Sequence, residues 1–465
     1  MSLPQSYQLS IAGGLLQAEL RPDHDLVILA QQIDWEDFQE SLKFKYSKVG
    51  RKAKRIRMMV GLHILKHKYN ISDETVCEML EENIYFRFFC GVHLDHREWR
   101  LKKIVNPCTM SRFRKRMGAD GIKHFEDSIK RQLKRDGRIS GKTQVVDTPA
   151  MEKNIAYPTD TNLLARSIKR ITKAVKRLAL KGLSVSVRSY QRLVRKEILR
   201  VNKLGRGRAE RIADATKKLS EYAKRVTKEA EVALRAKKKN ASDSELAAIE
   251  ALKASLQNEI EKALRIIEQA DKRANGEKVP SSSKILSLHE PHVGVIAKGK
   301  RHKRYEFGAK VSISMDRNGY VVGHQEYSAN QADVNTLDPA LEDWRRTFGE
   351  YPEELGADRG YTSNNPSEAL SKVSKVVIPN RGKKRHPDHD KAHFKRVLKL
   401  RNKIEPTIGH LKTDHRVNKC RYQGKAGDTL NVAFAAASWN LKKWANEIRA
   451  EQLAQTAANA KRNAS

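Results

Sequence analysis

The sequence predicts a mixed α/β protein that has a helical N-terminal region and a long helical insertion. Three observations favour this fold class. Apolar residues recur at helical spacing from residue 26 to 135, and short strand-like runs separated by helices follow from residue 143 onward. Between them, the stretch from about 165 to 275 is helical and strongly basic. With 465 residues and 39 % hydrophobic content, the chain can bury at least one sizeable core.

The N-terminal third is predicted to be helical after a short arm. We place the arm at residues 1–25 and a helical domain for DNA binding or dimerisation at residues 26–135. Thr109 or Ser111 in NPCTMSRFRKRMG can cap a basic helix, and a capped basic helix after a helical pair suits a DNA groove. The candidate DNA-binding residues of this helix are Arg112, Arg114 and Lys115. Each of them is equally compatible with a solvated basic face of a bundle.

The first convincing strand is KTQVVD, which ends on Asp147. A carboxylate at the end of a buried strand is costly unless it has a cation to hold. The later segment EELGADRGY reads as a strand that ends on Asp358. Because functional groups collect beyond strand ends in open α/β sheets, both carboxylates can reach one cleft. Taken singly, each is also an ordinary turn aspartate.

The basic insertion is predicted at residues 165–279, between two parts of the core at 136–164 and 280–448. From Arg166 to Lys239 it has 25 Lys or Arg against 6 Asp or Glu. The resulting positive excess is about half of the chain's net charge of +37. Apolar residues at helical spacing, such as Ile168 and Val175, indicate packing on one side and phosphate-facing charge on the other. An excess of this size points to a polyanion, most commonly a nucleic acid.

The second part of the core begins with a β-hairpin. Its strands are joined by an Asn-Gly turn at Asp316 to Gly319. Two helices at 390–415 and 430–447 close the fold, and residues 449–465 are predicted to be a flexible tail.

The segment RNKIEPTIGHLK places Arg401, Glu405 and Lys412 on one stripe of a helix. An adjacent apolar stripe would pack this helix against the core. A surface salt-bridge ladder explains Arg401 and Glu405 equally well. Since Pro406 lacks a backbone N–H group, the helix is expected to kink or restart there.

Three segments together resemble a known family. VVDTPAMEKNIAYPTDTNLL, GADRGYTSNNP and RNKIEPTIGHLK resemble the Asp, Asp and Glu segments of bacterial insertion-sequence transposases of the DDE class. NIYFRFFCGV and PCTMSRFRKRMG resemble the helical N-terminal domain of that family, so the likeness extends from about residue 26 to about 445.

The resemblance implies a fold, a site and DNA contacts. The fold is an RNase H-like mixed sheet flanked by helices, and the catalytic, metal-binding carboxylates are Asp147, Asp358 and Glu405. Arg401 and Lys412 are implied as contacts to DNA phosphate or a 5′ end. The family's tyrosine position holds Leu398 here.

Three carboxylates are the hard oxygen ligands that Mg²⁺ or Mn²⁺ prefers. Two such ions, about 3.5–4 Å apart, can activate water or a DNA 3′-OH and stabilise the leaving oxygen. We therefore expect two Mg²⁺ or Mn²⁺ ions and no covalent protein–DNA intermediate.

Other signals are weaker. The loop HEPHVGVIAKGKR is compatible with a DNA path or with an exposed basic loop, and its candidate DNA-binding residues are Lys298, Lys300 and Arg301. GRISGKT has Asp136 where a P-loop needs its first glycine. The absence of an apolar run of 18 residues and of a signal-like N-terminus, with only four scattered cysteines, favours a cytoplasmic, nucleoid-associated protein without a membrane span.

The leading functional hypothesis is a transposase that binds double-stranded DNA at element ends, cleaves it and joins the 3′-OH groups to a target. Two ends require two active sites, so a homodimer is expected. One alternative is an RNase H-like nuclease that does not transfer strands. Another is a catalytically inactive DNA-binding protein, which would be indicated by a missing carboxylate; all three are present.

Overall fold

The structure is a computed structural model. It describes residues 20–47, 49, 53–92, 104–203, 207–238, 241–297, 304–328, 330–363, 365–380 and 386–464. These residues form two compact units. The sheet unit comprises the described residues within 1–152, 309–327 and 331–465, and the helical unit comprises those within 153–308 and 328–330.

Fourteen helices are recognised among the described residues. Those of the sheet unit are α1 Asp25–Gln32, α2 Trp35–Leu42, α3 Ile56–Lys68, α4 Asp73–Glu82, α5 Ile84–Phe89, α6 Pro107–Arg135, α11 Leu337–Phe348, α12 Glu368–Ser371, α13 Ala392–Thr413 and α14 Gly424–Ala464. Those of the helical unit are α7 Asp160–Ala179, α8 Gln191–Asn202, α9 Arg208–Arg235 and α10 Asp243–Ala274.

The strands form a mixed sheet. They are β1 Thr143–Asp147, β2 Ala150–Lys153, β3 Gly294–Ala297, β4 Tyr305–Asp316, β5 Val321–Tyr327, β6 Glu354–Gly356, β7 Lys375–Val377 and β8 Lys419–Cys420. In the sheet unit β1 lies between β4, which is antiparallel to it, and β6, which is parallel. β7 extends the sheet parallel to β6, and β5 pairs antiparallel with β4. The sheet is therefore mixed, as the sequence predicted.

The hairpin prediction is confirmed. β4 and β5 pair in antiparallel register from Lys310–Tyr327 to Met315–Val321. Gly319 has φ of +87°, a left-handed conformation that costs glycine least. Asp316 stabilises the turn because its carboxylate accepts hydrogen bonds from the backbone N–H groups of Asn318 and Tyr320.

The N-terminal helices are not a separate unit. They share one hydrophobic core with α14, in which Phe125 of α6 packs edge-on against Phe434 with ring centroids 5.0 Å apart. Leu441 and Trp444 of α14 are buried in the same core. The structure thus differs from the predicted domain boundary at residue 135, because the apolar faces of these helices are covered by the C-terminal helix.

The C-terminal region also differs from expectation. α14 runs to Ala464 and so includes most of the residues for which a flexible tail was predicted. α13 continues through Pro406 as one helix, so the restart allowed for in the sequence does not occur.

The helical unit has its own core. α7, α9 and α10 bury a continuous set of apolar side chains that includes Ile168, Leu219 and Ile260. Ser242 and Glu245 form a capping box at the start of α10. The unit is longer than the predicted insertion at 165–279 because it includes β3, which pairs with residues Tyr305–Gly308 of β4. None of the described helices is long and apolar enough to cross a membrane.

Candidate active site

Asp147 is the last residue of β1, as predicted from the sequence. Val145 and Val146 before it are fully buried, which brings the strand end to the edge of the core. Oδ1 of Asp147 accepts a hydrogen bond of 2.7 Å from the backbone N–H group of Thr148. The pKa of Asp147 is raised, mainly because the carboxyl group is desolvated; the nearby charges of Asp358 and Asp333 also raise it, whereas Arg401 lowers it.

Asp358 lies just beyond the end of β6, which is the parallel neighbour of β1. The strand ends at Gly356, two residues earlier than the sequence suggested, and Asp358 caps a 3₁₀ turn at Arg359–Tyr361. Its Oδ1 accepts a hydrogen bond of 2.7 Å from the N–H group of Gly360. Because β1 and β6 are parallel, the carboxylates that follow them emerge at the same edge of the sheet.

The helix α13 brings the third carboxylate to this edge. Val397, Ile404 and Leu411 of α13 are buried, as the apolar stripe predicted. Ile404 packs with Val145 of β1. At Gly356 a Cβ atom would lie 2.9 Å from Cγ1 of Val397, so glycine lets the helix approach the sheet closely.

The guanidinium group of Arg401 joins two of the carboxylates. Its Nη1 donates a hydrogen bond of 2.8 Å to Oε1 of Glu405, and its Nη2 lies 3.9 Å from Oδ2 of Asp358. The side chain of Arg401 is 16 % exposed, that of Asp358 37 % and that of Glu405 59 %. Arg401 also lowers the pKa of Asp147 electrostatically, so one cation contacts Glu405, lies near Asp358 and acts on the charge of Asp147.

A buried polar network lies behind these carboxylates. The hydroxyl groups of Thr148 and Tyr361 share a short hydrogen bond, and Oγ1 of Thr148 lies 3.2 Å from Oγ1 of Thr336. Burial raises the pKa of Tyr361, so the phenol stays neutral. The network ties the end of β1 to the turn after Asp358 and to the segment before α11.

Sequence reasoning missed two residues beside the site. Asp333 lies in the segment before α11, and Nζ of Lys310 on β4 is 2.6 Å from its Oδ1. Asp333 follows the hairpin in the segment ADVNT. The one available signal was Lys310, a lysine among small and apolar residues in the run GAKVSI. A strand with this composition is central and buries both faces, so a charged residue on it needs a partner.

Comparison with known families gives two matches. Residues 15–116 match the family model described as Transposase domain (DUF772), and residues 283–441 match the one described as Transposase DDE domain. An uncharacterised protein of Rhizobium meliloti, ORF8 in the nfe locus, is 33 % identical over 210 residues, which is 44 % of this chain and 98 % of that protein. The chain belongs to the insertion-sequence DDE transposases. No solved structure matches this transposase significantly.

DDE transposases generally use divalent metal ions. Among the described residues of this transposase, no three Asp, Glu, His or Cys side chains are grouped closely enough to hold a metal as they stand. The donor set nevertheless fits one, because carboxylate oxygens are what Mg²⁺ and Mn²⁺ prefer. Arg401 stands between Asp358 and Glu405, and Glu405 is exposed enough to change rotamer.

The predicted DNA-binding residues of this transposase lie in different surroundings. Arg114 is engaged within the fold: its Nη1 and Nη2 donate to Asp73 at 3.0 and 2.6 Å, and its guanidinium stacks on the ring of Tyr422. Arg112 and Lys115 are exposed on the same helix. Lys298, Lys300 and Arg301 lie outside the described residues.

Lys412 occupies the last turn of α13 and is partly buried. Leu398, at the family's tyrosine position, packs beside Val377, Phe394 and Val397. A leucine here serves helix packing.

Proposed function

We propose that this transposase binds the ends of its element as double-stranded DNA and catalyses metal-dependent phosphodiester cleavage and strand transfer. Asp147, Asp358 and Glu405 are the proposed catalytic carboxylates. The observation that carries the proposal is that the guanidinium group of Arg401 lies 2.8 Å from Glu405 and 3.9 Å from Asp358 and also acts electrostatically on Asp147. The family membership of the chain makes this cluster the first candidate for the active site.

The proposed core is RNase H-like. Support comes from the mixed sheet, in which β1 has an antiparallel neighbour on one side and a parallel neighbour on the other. Asp147 and Asp358 follow these adjacent parallel strands, while Glu405 comes from a helix packed on the same strands. Thr148, next to Asp147, and Tyr361, in the turn after Asp358, are buried and hydrogen-bonded to each other, which supports the positions of these two carboxylates.

Each residue has a distinct proposed role. Two divalent ions, when bound, would polarise the scissile phosphate and activate water or a DNA 3′-OH. The three carboxylates would hold the ions, and Asp147 must be ionised to do so. Arg401, which is bonded to Glu405 in the structure, would turn to the DNA phosphate once a metal neutralises the carboxylates. Because the nucleophile is water or DNA, no side chain forms a covalent bond to DNA.

The proposed DNA contacts extend beyond the site. Exposed cations of α6 and of the helical unit would bind phosphates, together with Lys412 and the loop residues Lys298, Lys300 and Arg301. Arg114 is left out of this set because Asp73 already engages it. A homodimer would let two sites act on two element ends.

The deciding experiment uses Glu405→Gln in the full chain, with DNA from the element ends. Cleavage in Mg²⁺ should fall by at least about 100-fold, because a metal ligand is lost, while binding measured by fluorescence anisotropy should not change. Glu368→Gln, an exposed acid on α12, is the matched control and should cleave normally. Unreduced cleavage by Glu405→Gln would contradict the assignment.

Strand transfer is tested separately. Pre-cleaved end DNA carrying a free 3′-OH is incubated with supercoiled target plasmid and Mg²⁺. A joined product on a gel supports the transposase reaction. Cleavage of uncut ends without any joined product would favour the nuclease alternative.

A further inference from the structure

Lys310 is a buried cation next to the candidate active site. Its side chain is 11 % exposed, and Val311 and Ile313 follow it on the same buried strand. A buried ammonium group is costly unless it has charged or hydrogen-bonding partners. Nζ of Lys310 has two: it lies 2.6 Å from Oδ1 of Asp333 and donates a hydrogen bond of 2.7 Å to the carbonyl oxygen of Gln331. These contacts hold the segment that carries Asp333.

The other oxygen of Asp333, Oδ2, lies beside Gly360, as does Oδ1 of Asp358. A Cβ atom built on Gly360 would lie 2.7 Å from Oδ2 of Asp333 and 2.9 Å from Oδ1 of Asp358. Both carboxylate oxygens are therefore within 3 Å of one point, and only glycine leaves that point open. Two carboxylates brought this close repel each other unless a cation lies near both.

Among the described residues of this cluster, the charges do not balance. Asp147, Asp333, Asp358 and Glu405 contribute four carboxylates, whereas Lys310 and Arg401 contribute two cations. When all four carboxylates are ionised, the cluster has an excess of two negative charges. One divalent cation would neutralise it, and the oxygens that converge beside Gly360 are the hard ligands it prefers.

We propose that Asp333 is a fourth carboxylate of the metal site, ligating a divalent ion together with Asp358, and that Lys310 is a positioning residue that acts through Asp333. The inference rests on the proposed function, because it assigns the metal to the same cluster. It assigns Lys310 the task of presenting the Asp333 carboxylate toward Asp358, with one oxygen held by the ammonium group and the other open to the ion.

The test is a titration of Mn²⁺ into the full chain, with bound ion measured from the loss of the free-ion electron paramagnetic resonance signal. Asp333→Asn keeps the shape but removes the charge, and should weaken Mn²⁺ binding by about 10- to 100-fold. Asp338→Asn is the matched control, because its carboxylate is hydrogen-bonded to Ser367, and should bind as the wild type does. Circular dichroism and melting temperature verify that each variant is folded.

Asp358→Asn separates the two proposals. If Asp333→Asn binds Mn²⁺ as tightly as the wild type while Asp358→Asn does not, the role of Asp333 is overturned and the proposed function stands. If Asp358→Asn also binds normally, the cluster is not the metal site and both proposals fail.

Two further variants complete the design. Should Asp333→Asn not fold, Gly360→Ala replaces it, because a methyl group there separates the two carboxylates without changing any charge; unchanged Mn²⁺ affinity would overturn the inference. Lys310→Met tests positioning by a double-mutant cycle. Its effect on Mn²⁺ affinity should disappear in the Asp333→Asn background, and an equal effect in both backgrounds would contradict a role through Asp333.

Discussion

Two charge clusters of the sheet unit and one helix of the helical unit use charge in different ways. In the sheet unit, Asp73 pairs with Lys66 and Arg114, and His324 lies between two glutamates, so these buried charges are matched. On α7 of the helical unit, Lys169, Lys173 and Lys176 are exposed, and none of the three has an ion-pair partner among the described residues. The net charge of +37 therefore conceals a strongly uneven distribution.

The difference teaches how to separate structural charges from functional ones. A matched buried pair is required by the fold, because an unpaired buried charge is costly. An unmatched exposed row on one helix face is free to bind an external polyanion. The candidate active site is the exception in the sheet unit, since among its described residues the carboxylates outnumber the cations, an excess that the proposed divalent ion would offset.

The largest expected effect concerns the candidate active site. Asp147→Asn should reduce Mg²⁺-dependent cleavage of end DNA by at least about 100-fold, because the proposed ligand at the end of a buried strand loses its charge. Affinity for end DNA at several salt concentrations should match the wild type. A loss of DNA affinity equal to the loss of cleavage would show that Asp147 serves binding or folding and would break the comparison.

The next largest expected effect concerns the buried, matched charges around His324 in the sheet unit. His324 bridges Glu126 of α6 and Glu326 of β5, with Nδ1 2.7 Å from Oε1 of Glu326. His324→Ala leaves both acids without their cation and should lower the free energy of unfolding by about 3–5 kcal/mol, measured by urea denaturation at pH 7. An exposed histidine of the sheet unit, His410, supplies the control variant His410→Ala.

The same three residues predict a pH dependence of the protein's stability. Burial alone would lower the pKa of His324, but Glu126 and Glu326 raise it well above 6.5. Its contribution to stability is therefore complete below pH 6.5 and is lost as the pH rises through the higher folded-state value. The stability difference between wild type and His324→Ala should shrink in alkaline buffer, and a difference that grows with pH would contradict this.

A smaller effect is expected at Asp73. Burial would raise its pKa, but Arg114 and Lys66 lower it to about 2 from 3.8. The ionised group therefore contributes stability above pH 3.8 that is lost as the pH falls toward 2. The difference in unfolding free energy between wild type and Asp73→Asn should shrink by about 2 kcal/mol over this acid range. Urea denaturation at a series of acidic pH values measures it.

The smallest expected effect concerns the exposed lysines of α7 in the helical unit. Replacing Lys169, Lys173 and Lys176 of α7 by Gln should weaken DNA binding modestly and reduce the salt slope by up to about 0.9 for each lysine that contacts a phosphate. The matched control replaces Lys253, Lys262 and Lys272 of α10, whose partners are Glu250, Glu259 and Glu268. Equal changes in slope for the two triple variants would refute a special role for α7.

Local patterns predicted much of the fold. The Asn-Gly turn and the apolar alternation around it predicted the β4–β5 hairpin, which the structure confirms. Periodic apolar residues likewise predicted the side of α13 that packs on the sheet. These features depend on neighbours a few residues apart, so they are readable from the chain. Asp147 and Asp358 were singled out as carboxylates at strand ends, family resemblance joined Glu405 to them, and the catalytic roles of all three stay a proposal.

Other features could not be read from local sequence. Arg114 looked like a DNA-facing cation, yet it is bonded to Asp73, which lies 41 residues away. Lys310 and Asp333 were not predicted as site residues, but they form an ion pair, and Oδ2 of Asp333 lies beside Gly360 together with Oδ1 of Asp358. The C-terminal segment seemed a frayed tail, although α14 continues through most of it.

The sequence by itself determined where helices, the hairpin and the basic insertion occur, because these follow from residue spacing and composition along the chain. Only the tertiary structure decided which charges are neutralised and which remain available. The physical reason is that the free energy of a charge depends on its burial and on neighbours within a few ångströms, and packing brings those neighbours from distant parts of the chain.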